Sequence, residues 1–484
     1  MKKLICLFVL CALFLCGCGR EESVPANADF GGTLKLYAYE DDTFNPLKTR
    51  YQTNAQILAA TMHRGLFKNS QNLEIQCDLA GSYSFSDDKM QVTVKLKDEK
   101  FSDGSRITAK DVVNSLDIIK NNKENMFHVI FNFVADYSGN GNTVTFTLHR
   151  PDSGVLHYMN FPVLKEEETV IGAGLYKLAE GQSENPSLLA SDSLKTNFST
   201  VKILMCSKEN MAENAFLNDE VDIIDADYSS LARLQGKSGV NATEYITDNF
   251  TFLGINNENE VLSDVNVRKA LASLINKKDL TETLMAGCAK AVNSPFKPDS
   301  VYGGLYSGEY SDSAMFEKYL ERADFAPEEL TFKILVNEES ISKMKTAEYI
   351  CKVFEDAGMS ASAEEVDFDT YVQRINDGEY TLFVGETTVA LNQDFSFLAQ
   401  SGKNAAGYSN SEMDNLLETF RAETKTEGKK KVAEAIAKKF VDDLPVISLY
   451  YMKNTLLSDS DIEGKLEPMQ TNIVGNIANL KIKK

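Results

Sequence analysis

The chain opens with Lys2 and Lys3, an unbroken apolar stretch from Leu4 to Leu15, and then Gly17, Gly19, Arg20, Glu21 and Glu22. A membrane-spanning helix needs about 20 apolar residues, so this stretch is too short to stay in a bilayer. Its basic start and its small-residue end read as an export signal over residues 1–17. The rest of the chain therefore folds outside the cytoplasm. From Cys18 to Lys484 there are 467 residues, enough for two or three domains with large cores, and nothing after residue 18 is long and apolar enough to cross a membrane.

Leu15-Cys16-Gly17-Cys18 resembles the lipobox of bacterial lipoproteins, in which the cysteine after the cleavage point carries diacylglycerol. That resemblance makes Cys18 the lipid anchor and residues 18–29, with Ser23, Pro25 and Asn27, a flexible tether. Loss of Lys2 and Lys3 leaves 48 basic against 71 acidic residues, a net charge near −23. A body so acidic is unsuited to neutralising phosphates, so no nucleic-acid partner is expected; the charge suits a soluble extracytoplasmic protein. Of eight cysteines, Cys77, Cys206, Cys288 and Cys351 lie in the body, too far apart for the close ligand pairs of structural zinc. They read as buried thiols, with one or two disulfides left open by their spacing.

The body begins near Phe30. Leu34, Leu36 and Ala38 alternate with Lys35, Tyr37 and Tyr39, the period of a strand with one buried face, ended by the turn Asp41 to Pro46. A helix is expected over 53–67, then a hairpin with arms at 83–85 and 92–96. Thr108 reads as an N-cap with Asp111 three residues on, followed by the stripe Val112, Val113, Leu116 and Ile119. Val144, Phe146 and Leu148 mark another strand. Strands at 332–336 and ending at Val366 flank a helix through Met344, Ala347, Cys351 and Phe354, a βαβ unit that favours a right-handed parallel crossover. A last long helix is expected over 411–442, bent near Gly428, before a strand at 445–451.

Motifs for chemistry are weak. His63, His128, His149 and His157 lack the spacing of a metal site. Gly236-Lys237-Ser238 has Leu231 where a phosphate loop needs its first glycine, and reads as a turn. The stretch from Asp459 has Gln470 where a calcium loop needs a bidentate carboxylate. There is no G-x-S-x-G elbow. No metal, cofactor or catalytic set is expected, and an enzyme is unsupported.

A set of segments in fixed order carries more. Gly31-Gly32-Thr33-Leu34 leads to Asn45-Pro46; Phe101-Ser102-Asp103-Gly104 precedes Thr108-Ala109-Lys110-Asp111-Val112-Val113. Then come Glu220-Val221-Asp222, the run Asp264 to Leu271, Gly407-Tyr408-Ser409-Asn410 with Asp414, and Pro445 to Tyr451. Together, over Phe30 to about Leu480, they resemble the family 5 extracellular solute-binding proteins. The pattern departs from peptide-binding members in two places. The chain has no tryptophan, and Val389, in Gly385 to Ala390, falls about where their ligand-pairing aspartate stands; Glu386 is the replacement charge to test. Their glycine-rich turn is altered to Gly172-Ala173-Gly174-Leu175-Tyr176.

The resemblance implies an α/β, two-lobed periplasmic-binding-protein-like fold with mixed sheets and an extra subdomain in the first lobe. Lobe I spans 30–254 with the subdomain at about 60–165, lobe II spans 255–444, and 445–484 returns to lobe I. The two crossings, Leu253 to Asn257 and Leu444 to Pro445, form the expected hinge. Ligand contacts carried over by alignment are Arg50, Tyr51, Phe127, His128, Glu386, Thr387, Tyr450 and Met452. The implied function is capture of a di- or oligopeptide and delivery to an ABC permease by a monomer held to the cell membrane through its lipid alone. Nickel chelates, haem and sugars are the alternative ligands. A sensor lipoprotein and an extracellular hydrolase are the readings from other classes, separable by solute uptake in a deletion strain and by turnover of a peptide library.

Overall fold

The computed structural model describes residues 32–41, 43–166, 170–180, 185–191, 196–234, 236–306, 308 and 312–483. The export signal, Cys18, the tether, Phe30 and Gly31 lie outside the described residues. The alternation at the start of the body becomes the strand Gly32–Tyr39, in which Leu34, Leu36 and Ala38 are buried. It runs parallel to Phe198–Cys206, and Ser187–Ala190 and Tyr176–Leu178 complete a four-stranded sheet. The helix expected over 53–67 ends earlier: it spans Gln52–Met62, and Phe67–Asn69 is already a strand. Leaving the helix there brings Gly65 onto the backbone of Asn160, where a Cβ would come within 2.6 Å. Gly174, in the altered glycine turn, lies as tightly against the Met62 carbonyl carbon, 2.3 Å from where a Cβ would stand.

Residues 80–148 form an antiparallel four-stranded sheet in the order Ala80–Phe85, Gln91–Leu96, Thr143–Leu148, Val134–Asn140. The helix Ala109–Asn121 covers it with Val112, Leu116 and Ile119. Its start is fixed as the sequence indicates: Asp111 Oδ2 accepts from both the N–H and the Oγ1 of Thr108 at 2.7 Å. This subdomain has its own core, built mainly from residues between Leu47 and Leu164.

The element that organises the rest is a seven-stranded sheet built on two long strands, Val240–Ile255 and Val446–Asp459. The second is twice the length expected at 445–451. Their antiparallel ladder pairs 240–246 with 453–459 and 250–254 with 446–451, and its register breaks between Ile246 and Phe250. One end carries Ile223–Ala226. The other carries Leu382–Thr388, then the parallel pair Thr331–Asn337 and Ser360–Val366 joined by the helix Ile341–Asp356, the βαβ unit read from the sequence. The expected crossing at Leu253 to Asn257 begins inside a continuous ladder, where Leu253 pairs with both Ile447 and Val384. Phe250 is stacked with Phe252 and tilted against Tyr451, with ring centroids 5.5 and 5.2 Å apart.

The single long helix expected over 411–442 is two helices, Ser411–Ala422 and Thr426–Asp443. They part at Glu423, not Gly428, where the backbone turns extended, and the freed Glu423 carbonyl accepts from Ser153 Oγ of the subdomain at 2.6 Å. Lys429 Nζ donates to the same Ser153 Oγ at 2.9 Å, and Arg150 lies 3.6 Å from Asp394. The subdomain is thus seated on the 391–429 segment. Cys77, Cys206, Cys288 and Cys351 are all free, and Cys77 is exposed, against the reading of four buried thiols; it is the edge strand Ile75–Cys77 that turns its side chain outward. Among the described residues no helix is long and apolar enough to cross a membrane.

Burial holds the Lys429 ammonium down at about 8, partly offset by Asp152, Asp394 and Glu423. Between that value and the usual 10.5 the unfolded chain keeps a proton that the folded chain has released, so this group makes stability rise with pH across the window. The expected outcome in urea denaturation is a more positive slope of stability against pH for wild type than for Lys429→Met between about pH 8 and 9.5. Equal slopes would show that Lys429 keeps an ordinary pKa.

Candidate functional site

Where the long ladder breaks, the two strands and their neighbours enclose a cavity of about 310 Å³. Tyr37 and Tyr39 reach it from the end of the first strand, Asp225 from Ile223–Ala226, Tyr245 and Asn454 from the two long strands, and Gln470 from the loop beyond them. Tyr37 with Tyr39, and Tyr245 with Thr247 and Asn249, follow from strand geometry, because alternate residues of a strand share a face. Asp225 is held by Tyr245 Oη and Asn454 Nδ2, both donating to Oδ2 at 2.9 Å, while its Oδ1 is buried without a hydrogen-bond partner. Burial raises the Asp225 carboxyl above the ordinary range. Burial likewise raises Tyr39 to about 12 and Tyr37 and Tyr245 further, so all three rings stay neutral phenols.

The floor of the break is polar and braced. Gln470 accepts from the Asp248 N–H at 2.5 Å, its Nε2 donates to Asn249 Oδ1 at 3.3 Å, and its carbonyl accepts from Gln56 Nε2 at 2.7 Å. Behind it Lys297 and Asp248 form an ion pair of 2.9 Å with side chains only 2 % and 4 % exposed. From Tyr39 an aromatic path leads outward: Tyr37 to Tyr39 at 5.9 Å, Tyr39 to Tyr51 at 5.5 Å, and the Arg50 guanidinium over Tyr51 at 5.0 Å. Arg50 lines a second, outer cavity of about 430 Å³ with Glu40, Asp41 and Lys48. Across the opening, Lys345 donates to Tyr228 Oη at 3.2 Å, joining the Ile341–Asp356 helix to the Asp225 side.

The residues proposed from sequence separate into three groups. Arg50 and Tyr51 stand on this path. Glu386 is exposed on Leu382–Thr388, with Thr251 Oγ1 3.5 Å from its carboxylate, and Thr387 is its half-buried neighbour, paired with Phe250; Met452 is half-buried beside the ladder break, its carbonyl accepting from Thr247 Oγ1 at 2.9 Å. The third group lies away from this cavity. Tyr450 is fully buried in an apolar cluster with its hydroxyl on Thr346 at 3.0 Å. Phe127 is buried in the subdomain core and His128 packs on Phe131 beside it, centroids 5.3 Å apart; neither lines the cavity. Val389, which the resemblance puts about where the family's aspartate stands, is buried, with its N–H on the Asp248 carbonyl at 2.7 Å.

Sequence reasoning missed Asp225, Tyr245, Asn454 and Gln470. Asp225 lies three residues after the quoted Glu220-Val221-Asp222, yet nothing local distinguishes it from Asp222, which instead holds Lys35 at 3.0 Å. Carboxylate, amide and phenol groups around a cavity of this size suit reversible capture of a small polar solute through hydrogen bonds and ring contacts.

Comparison with known proteins bears on what such a cavity serves. The sequence profile of the bacterial extracellular solute-binding proteins, family 5 Middle, matches residues 74–409. The chain is 23% identical to the probable D,D-dipeptide-binding periplasmic protein DdpA of Escherichia coli (strain K12) over 81% of this chain and 82% of that protein. It is 21% identical to the oligopeptide-binding protein AppA of Bacillus subtilis (strain 168), with 95% of each covered. A nickel ABC transporter structure from Bacillus halodurans superposes with a TM-score of 0.80 at 16% identity, covering 94% of this chain and all of that one; at this identity the likeness shows the two-lobed fold alone.

Removing one partner of the Lys297–Asp248 pair strands a buried charge, so Lys297→Met is expected to cost about 3–5 kcal/mol. Adding Asp248→Asn should recover most of that loss in urea denaturation. A loss under about 1 kcal/mol for the single variant would show the pair to be solvated.

Proposed function

The chain belongs to the bacterial extracellular solute-binding proteins of family 5, and on that premise we propose that the solute it captures for its ABC importer is a short peptide. As a member of the family it is an extracytoplasmic binding protein working with a membrane permease. The peptide reading draws on the dipeptide- and oligopeptide-binding relatives and is carried by one observation: a polar cavity walled by tyrosines lies at the break in the ladder. Backbone amides of a peptide meet hydrogen-bond donors and acceptors there, and side chains meet rings.

In this proposal lobe I comprises roughly 30–246 and 453–484, with the subdomain at about 60–165, and lobe II lies between. The hinge is 247–249 with 452–453, a few residues from the 254/255 and 444/445 boundaries expected from sequence, since a ladder without its hydrogen bonds bends more easily than one that has them. Ligand bound to the Tyr37–Asp225 side favours the closed arrangement, and closure brings Glu386, Thr387 and Met452 toward it; Arg50 and Tyr51 line the outer end. A closed form with higher ligand affinity shifts the population and presents both lobes to the permease. Residues 1–17 are removed, Cys18 carries the lipid, and the protein acts as a monomer that leaves its ligand chemically unchanged.

Native mass spectrometry of the protein purified from rich medium, followed by denaturation and identification of what is released, tests the reading. A heterogeneous set of short peptides is expected. A single metal chelate, haem or sugar would overturn the peptide ligand, and a ligand found cleaved on incubation would overturn capture without chemistry.

A further inference from the structure

Three parts of the chain meet at Gln470. Its neighbour Met469 is buried in the subdomain core, and the Pro468 carbonyl accepts from Gln71 Nε2 of the subdomain at 3.2 Å. The Gln470 carbonyl accepts from Gln56 Nε2, on the helix Gln52–Met62, at 2.7 Å. Its side chain meets the break in the ladder: Oε1 accepts from the Asp248 N–H and Nε2 donates to Asn249 Oδ1. Both of these residues are in turn bound to lobe II. Asn249 Oδ1 also accepts from Thr388 Oγ1 at 3.0 Å. The Asp248 carbonyl accepts from the Val389 N–H at 2.7 Å, and the Asp248 carboxylate holds Lys297. One chain of hydrogen bonds thus runs from the helix Gln52–Met62 through Gln470 and residues 248–249 to the end of Leu382–Thr388.

Gln470 also lines the cavity. Among the described residues that do so, Thr247 and Asn249 belong to the break itself, and Gln470 is the one from outside it whose side chain is hydrogen-bonded to it. A side-chain amide offers two lone pairs on oxygen and two N–H donors. The break uses one of each, which leaves one of each for a solute. A solute closes a cleft only by binding the closed arrangement better than the open one, so a group it touches must be tied to the segment that bends. We infer that Gln470 is the positioning residue that couples the cavity to the hinge. A solute bonded to the spare groups of its amide holds that amide in place, and with it the Asp248 N–H and Asn249. This rests on the proposed capture of a solute and on the proposed hinge, and adds the group that transmits one to the other.

The test reads hydrogen–deuterium exchange of the Asp248 amide, resolved to the residue by electron-transfer fragmentation. It uses the full chain in mild detergent, stripped of bound solute by denaturation and refolding. Wild type is compared with Gln470→Met, which has similar length and no amide. Two probes are added, with binding followed by calorimetry: a mixed library of tri- and tetrapeptides, and the low-mass fraction released by denaturing wild type purified from rich medium. In the stripped proteins Asp248 is expected to exchange about tenfold faster in the variant, the factor that one net hydrogen bond supplies. Leu253, in the intact ladder, is expected to exchange alike in both. At least one probe is expected to slow Asp248 further in wild type and not in the variant. Equal exchange of Asp248 in the stripped proteins overturns the brace. A Leu253 amide that also speeds up shows that Gln470 serves the fold at large, and overturns the assignment. Slowing by equal factors in both proteins, or bound probes that slow neither, overturns the coupling and leaves solute capture standing. Slowing of wild type by the released fraction alone supports the coupling and overturns the peptide ligand. Probes that bind neither protein overturn coupling and capture together.

Discussion

The structure depends on one hydrogen-bonded ladder. Val240–Ile255 and Val446–Asp459 are the two strands that run through both halves of the large sheet, and their pairing opens around 247–249, with one smaller register shift between Thr251 and Phe252. Everything that makes a cleft here depends on that pairing. It carries Ile223–Ala226 on one side and Leu382–Thr388 on the other, so the two walls belong to one sheet. It leaves a short unladdered segment whose backbone groups are satisfied by Gln470 and by Thr247 and Met452. It also buries Lys297 against Asp248 behind the break. A buried ion pair is weak as a source of stability, but at this place it fixes the geometry of a segment that ladder bonds do not hold.

The second organising feature is the seating of the subdomain. Ser153 donates to the Glu423 carbonyl, between the two helices, and accepts from Lys429. Lys345 and Tyr228 meet on another face. These contacts bring distant stretches of chain together, whereas the inner cavity is lined by residues of Gly32–Tyr39, Ile223–Ala226 and the long strands together with the helices Gln52–Met62 and Glu209–Leu217 and the Gln470 loop.

Much of this was legible in the sequence and some of it was not, for physical reasons. Strict alternation at Leu34 to Ala38 and at Val144 to Leu148, the Thr108–Asp111 cap and the βαβ unit near 332–366 are local signals, and each appears as read. The order of the family segments gave the fold. Boundaries at distant contacts were missed: the helix ends at Met62, just before Gly65 packs on Asn160, and the later helices part at Glu423, whose carbonyl meets Ser153, 270 residues away in sequence. The site was read least well. Alignment placed Tyr450 and Phe127 at a ligand; the structure buries Tyr450 against Thr346 and Phe127 in the subdomain core, and neither lines this cavity. Asp225 becomes conspicuous only when its two donors are seen to share one oxygen.

The hinge proposed at the ladder break, 247–249, closes on ligand, and small-angle scattering of the stripped protein and of the same protein saturated with its released ligand tests that closure most directly. A smaller radius of gyration in the loaded form, a difference lost when a disulfide pins the rim shut, is the expected result. Identical profiles with and without bound ligand would contradict the hinge, leaving a rigid cleft that binds without moving.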